Sequence, residues 1–115
     1  MTAAISTILS PFLQRHIFVS EEQAIRSLLR DHVLHQIDAL RVEDGRFAQK
    51  YGMPFDRFEQ YLHERSMLLA AGQLSPGEQR TLGQAVMLEE DDWMEWKATR
   101  EMLESWLGLD KEVSA

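Results

Sequence analysis

Ser20-Glu21-Glu22-Gln23-Ala24-Ile25-Arg26-Ser27-Leu28-Leu29-Arg30 is the stretch that decides the fold. Ser20 followed three residues later by Gln23 makes a capping box: the hydroxyl can accept from the amide of Gln23 while the Gln23 side chain reaches back. Behind it, Ile25, Leu28, Leu29, Val33, Ile37 and Leu40 keep the three-and-four rhythm of a helix face, and Phe47 and Tyr51 resume it. The spacing predicts a long helix over 21–51 that stops at Gly52, a natural left-handed terminus with Pro54 close behind. Gly45 costs about 1 kcal/mol in a helix interior, and the sequence leaves open whether the helix breaks there.

The same punctuation recurs to either side. Pro54, placed in the first turn, opens a helix over 54–71 with Phe55, Phe58, Leu62, Leu68 and Leu69 on its apolar face and Gly72 as its end. Ser75-Pro76-Gly77-Glu78 is a second capping box, starting a last helix over 76–107 that Gly108 should stop. An N-terminal helix over 2–16 carries Ile5, Ile8, Leu9, Phe12 and Leu13, with Pro11 bending or splitting it. Ile17-Phe18-Val19 reads as a short extended connection, and residues 110–115 as a frayed tail. No segment alternates as a strand does. The expectation is an all-α single domain over 1–115, a small bundle of about four helices with the second and fourth long, pairing with itself to bury more surface.

Charge is unevenly placed along the chain. Residues 1–80 hold nine Lys/Arg against ten Asp/Glu, while residues 81–115 hold three against nine, so of the net charge of −7 the C-terminal third carries −6. That third repels polyanions and argues against nonspecific nucleic-acid binding. Cysteine is absent, which removes disulfides, zinc-thiolate sites and thiol nucleophiles. The opening residues lack a basic n-region, and no run is apolar enough to span a bilayer, so a cytoplasmic protein is expected.

Chemistry-bearing constellations are sparse. Asp31, His35 and Asp38 fall at i, i+4 and i+7 and could converge on a divalent metal, but exposed helix faces produce such triplets often. A di-iron carboxylate bundle needs Glu-x-x-His motifs, and the chain has none. Ser20 and Ser75 are better spent as caps than as nucleophiles, and adjacent acids on one solvated helix give no separated acid and base. Glycines are too scattered for a phosphate loop. Arg26, Arg30 and Arg41 read as partners for nearby acids more readily than as phosphate ligands. No catalytic residue, cofactor or metal is expected.

The distinctive segment is Glu89-Glu90-Asp91-Asp92-Trp93-Met94-Glu95-Trp96. Its helix has an apolar stripe of Leu82, Val86, Trp93, Trp96, Leu103 and Leu107, interrupted where Glu89 and Arg100 replace apolar residues. Such interruption is expected where a long helix leaves its own core to meet a partner. If Trp93 and Trp96 point outward, they are anchors with Glu89, Glu90, Asp91 and Asp92 as a charged rim for a small basic protein. If they point inward they are core.

Two stretches carry a family resemblance. Residues Ser20 to Arg30 resemble the second helix of ribbon-helix-helix and related small prokaryotic antitoxins. Arg46-Phe47-Ala48-Gln49-Lys50-Tyr51-Gly52-Met53-Pro54-Phe55-Asp56-Arg57-Phe58-Glu59 is similar to a stretch found in a group of small antitoxin-like proteins whose acidic C-terminal end also carries tryptophan. The likeness lies over residues 19–62 and 89–96. It implies a non-catalytic protein, encoded beside a toxin, that neutralises it by opposing its basic RNA-cleaving surface and could also bind operator DNA. DNA binding by that family needs an N-terminal strand, whereas Thr2 to Ser10 reads as helix. The competing expectations are a homodimeric assembly protein, a DNA-binding regulator and a small metal-dependent enzyme.

Overall fold

The computed structural model describes residues 3–114. The elements are α1 (Ala3–Gln14), α2 (Glu21–Tyr51), α3 (Phe55–Ala70) and α4 (Pro76–Ser114), and no strand occurs among the described residues. The protein is all-α with four helices, the second and fourth long, as the capping boxes and stripes predict. None of these helices is long and apolar enough to cross a membrane.

Both capping boxes close. The Ser20 hydroxyl accepts from the Gln23 amide at 3.1 Å, and Gln23 Oε1 accepts from the Val19 amide at 3.0 Å, one residue earlier than the simplest box would place it. Ser75 Oγ accepts from the Glu78 amide at 3.3 Å and donates to the Glu78 carboxylate at 2.8 Å. Gly52 and Gly72 both take φ of 66°, the left-handed conformation that ends α2 and α3 at little steric cost. Pro54 is the N-cap of α3, with ψ of 164°, one step outside the first turn where the sequence placed it.

Helix breakers are overridden in three places. Pro11 lies inside α1 without splitting it. The expected start of that helix at Thr2 falls outside the described residues, and its end comes at Gln14, not His16. His16 adopts φ of 58°, and the amides of His16 and Ile17 close on the carbonyls of Leu13 and Phe12 at 3.1 and 3.0 Å. Gly45 does not break α2, which is held on either side by the half-buried Asp44 and the buried Phe47. Gly108 does not stop α4: the helix runs on to Ser114, with Asp110 and Val113 half-buried, so the frayed tail is corrected to two further turns. A glycine penalty near 1 kcal/mol is small against such burial.

The chain forms two compact units. One combines the described residues up to Asp38 with those from Ser105 onward, and its buried apolar residues are Leu9, Ala24, Val33 and Ile37. Ala24 and Val33 stand nine residues apart, about half a turn out of phase at roughly 100° per residue, so this part of α2 is covered on opposite faces. Leu28 and Leu29, both assigned to the apolar stripe, are about half exposed instead, at 48% and 53%. His32 meets the edge of Trp106 with ring centroids 5.9 Å apart.

The other unit, Ala39–Glu104, takes the end of α2, all of α3 and most of α4. Its core is aromatic: Phe47, Phe55, Phe58 and Trp96 are buried, with Tyr51, Tyr61 and Trp93 packed against them. Leu62 and Val86 extend the buried surface. Phe58 is completely buried and its ring lies 4.1 Å from Tyr51 and 5.4 Å from Trp96. Phe58→Ala should therefore cost about 3–5 kcal/mol, read as a lowered denaturation midpoint in urea with the helical signal of the native baseline retained.

Candidate functional site

The acidic tryptophan-bearing segment lies on α4 within the Ala39–Glu104 unit, and its side chains divide by face. Residues 89, 92, 93, 96 and 100 share the side turned toward α2 and α3 of that unit, while Glu90, Asp91, Met94 and Glu95 are exposed. The helical period puts the two sets on opposite sides.

Trp96 takes the core alternative. It is 1% exposed, stacked on Phe47 with centroids 5.6 Å apart and planes 16° from parallel, and edge-on to Phe55 at 5.3 Å. Its indole N–H donates to Asp44 Oδ1 at 2.7 Å, so the one polar atom that such burial would strand is satisfied. A side chain this enclosed offers no surface to a partner, and its expected role as an anchor is withdrawn.

The interruptions in the α4 stripe have intramolecular causes. Glu89 accepts from Arg65 Nε at 2.9 Å, with side chains only 14% and 25% exposed. Arg100 donates to the Asp44 oxygen that holds the Trp96 indole, at 3.2 Å, and its guanidinium lies 5.3 Å from the Phe55 ring centroid. Asp92 Oδ2 accepts from Lys50 Nζ at 2.5 Å and from the Tyr51 hydroxyl. Glu89 and Arg100 sit where apolar residues were anticipated because α3 and α2 supply their opposites. Glu89 and Asp92 are thus committed within the unit, not presented to a partner.

These bonds set the protonation behaviour of two groups. Burial pushes the Asp92 carboxyl up, but the bonds from Lys50 and Tyr51 outweigh it and hold the group below the ordinary carboxylate value. Tyr51 is pushed well above its ordinary value, first by burial and then by its bond to Asp92.

Trp93 stands apart from Trp96. It is half-buried, its indole N–H donates to Glu59 at 3.1 Å, and Lys97 Nζ lies 5.1 Å from its ring centroid. Beside it, Glu59, Leu62, His63 and Ser66 of α3 and Glu90, Trp93 and Met94 of α4 line an open groove of about 320 Å³. Met94 is 63% exposed and Met87, two turns earlier, 68% exposed. Of the six residues expected at the binding surface, Glu90 and Trp93 line this groove, and Asp91 is exposed on the other flank of the helix.

Sequence reasoning missed Asp44, Glu59 and His63 as parts of this region. Asp44 could have been found, because it precedes Phe47 and Tyr51 by three and seven positions, on the face already assigned to the core, where a carboxylate needs a donor. Among the described residues no three His, Asp or Glu side chains gather as a metal site would require, and Asp31, His35 and Asp38 are all exposed.

Two pH limbs follow from the burial of Tyr51 and from the bonds that Lys50 and Tyr51 make to Asp92. Asp92, depressed in the fold, stabilises above the ordinary carboxylate range, and that contribution is lost as pH falls through its folded value. Tyr51, raised in the fold, stabilises below the ordinary phenol value of about 10 and loses that contribution as pH climbs toward its folded value. Tyr51→Phe should cost about 1 kcal/mol near neutrality and flatten the decline in urea stability at alkaline pH. No family model, no curated protein and no solved structure matches this chain, so the reading of its function rests on the chemistry of the site.

Proposed function

We propose that this chain is a non-catalytic, antitoxin-like protein-binding module that takes a small basic protein on the acidic outer face of α4. The observation that carries the reading is the division of the acids. Glu89 and Asp92 are spent on Arg65, Lys50 and Tyr51, whereas Glu90, Asp91 and Glu95 are exposed: Glu90 and Asp91 flank the exposed Met94, Glu90 also lies beside the half-buried Trp93, and Glu95 is on the flank away from it. An apolar ridge rimmed by like charge suits a cationic protein surface such as that of an RNA-cleaving toxin. α1 occupies the place where a ribbon-helix-helix protein carries its DNA-reading strand, which favours toxin binding over operator binding.

Self-association is a second reading, favoured by a separate observation. α1 carries no charged residue, and Ile5, Ile8 and Phe12 on one of its faces are 36%, 67% and 42% exposed. Two copies of a chain with net charge −7 meet least repulsion on such a face.

Both readings can be tested in one experiment on the tagged full chain. Wild type expressed with its chromosomal neighbours should retain a small basic protein, release it as salt rises toward about 1 M, and relieve that protein's toxicity. An Asp91→Lys, Glu95→Lys variant with native helical content should do neither; equal retention by the variant would overturn the acidic-face reading. In parallel, Ile8→Glu should convert a dimer to monomer by sedimentation if α1 pairs the subunits, and a wild type already monomeric would end that reading.

A further inference from the structure

The groove between α3 and α4 has the makings of a socket for one kind of side chain. Its floor is Leu62, 7% exposed, and its apolar sides are Trp93 and the exposed Met94. Its acids come from both helices, Glu59 from α3 and Glu90 from α4. Glu59 is oriented by the Trp93 indole N–H at 3.1 Å, so this carboxylate and the ring are fixed together. A groove of about 320 Å³ is at the small end for a metabolite and is open to solvent. It has the dimensions of a slot for one long side chain and part of a neighbour.

The chemistry of the walls narrows the occupant. An aliphatic stem would cover Leu62, Trp93 and Met94 while its head stays at the wet rim, the arrangement long cationic side chains adopt on apolar surfaces. Trp93 already keeps one cation at its ring in this protein: Lys97 Nζ lies 5.1 Å from the centroid, in a second depression that Trp93 and Met94 also line. Arginine fits the first groove better than lysine, because a planar guanidinium can lie on an indole and meet carboxylates through two edges. Methionine adapts to irregular partners, which suits a side wall that must close over an incoming chain.

We propose that this groove receives an arginine side chain from an amphipathic segment of the protein partner, with the guanidinium between Glu59 and Glu90 and the stem on Leu62, Trp93 and Met94. The inference rests on the protein-binding reading above and names the group that would be recognised.

The test uses the full chain labelled with ¹⁵N and a synthetic amphipathic helical peptide of Ala, Leu and a single Arg. Two control peptides replace Arg by citrulline, which is uncharged and nearly isosteric, or by Lys. The Arg peptide should move the Trp93 indole N–H resonance and leave that of buried Trp96 unmoved. Citrulline should weaken binding about tenfold or more, with Lys between the two. Glu59→Gln and Glu90→Gln, both at exposed positions, should each reduce the preference for Arg over citrulline, and Ser66→Trp should block the groove without removing any acid. Equal binding of Arg and citrulline peptides, or equal binding by all three variants, would overturn the proposal, as would failure of the Arg peptide to bind wild type. Binding that ignores the groove variants but is lost in Asp91→Lys, Glu95→Lys would overturn the socket and leave the acidic-face reading standing. Failure of the wild-type chain to retain a basic protein in the previous experiment would fail that broader reading independently.

Discussion

The hydrogen bond from the Trp96 indole to Asp44 is the constraint on which the Ala39–Glu104 unit depends. It lets the largest side chain in the protein be buried from α4 with its polar atom satisfied, and it determines which faces of α2 and α4 meet. Because the same carboxylate oxygen receives Arg100, one acid on α2 holds two residues a turn apart on α4. Phe47, Phe55 and Phe58 then pack around a ring whose position is already determined. An aromatic cluster without this bond would be free to rotate and slide; with it, the helices have a register.

Electrostatics in the unit follow from that register. The acid-rich segment of α4 looks uniform in sequence, yet the helical period sorts it into acids bonded to residues on α2 and α3, Glu89 and Asp92, and exposed acids, of which Glu95 still feels the charge of Arg46. Paired, partly buried acids stabilise the fold because their partners are aimed at them; the exposed ones contribute little to stability. Among the exposed acids, Glu90 has Trp93 and Met94 beside it at the groove with α3.

Much of the fold was legible from local signals. Ser20 and Ser75 announced helix starts because a hydroxyl three residues before a Gln or Glu has a definite job, and Gly52 and Gly72 announced ends because only glycine enters the left-handed region without strain. What could not be read locally was decided at a distance. Gly45 and Gly108 looked like breaks, and burial of side chains on either side carried the helices through them. Glu89 and Arg100 looked like gaps in a stripe, since nothing near them in sequence shows Arg65 or Asp44. The choice between core and surface for Trp93 and Trp96, three residues apart on one helix, turned on about 60° of helical phase and on the presence of Asp44 opposite one of them.

The distribution of sulfur along α3 and α4 has a chemical consequence. Met67, Met87, Met94 and Met102 are all more than half exposed, at 59%, 68%, 63% and 53%, while among the described residues only Met53 is half-buried, against the aromatic core. An oxidant would therefore convert the thioethers of the outer surface to polar sulfoxides long before it reached anything that holds the helices together. The molecule would keep its shape and lose the softness of its exposed side, a change that reductases can reverse.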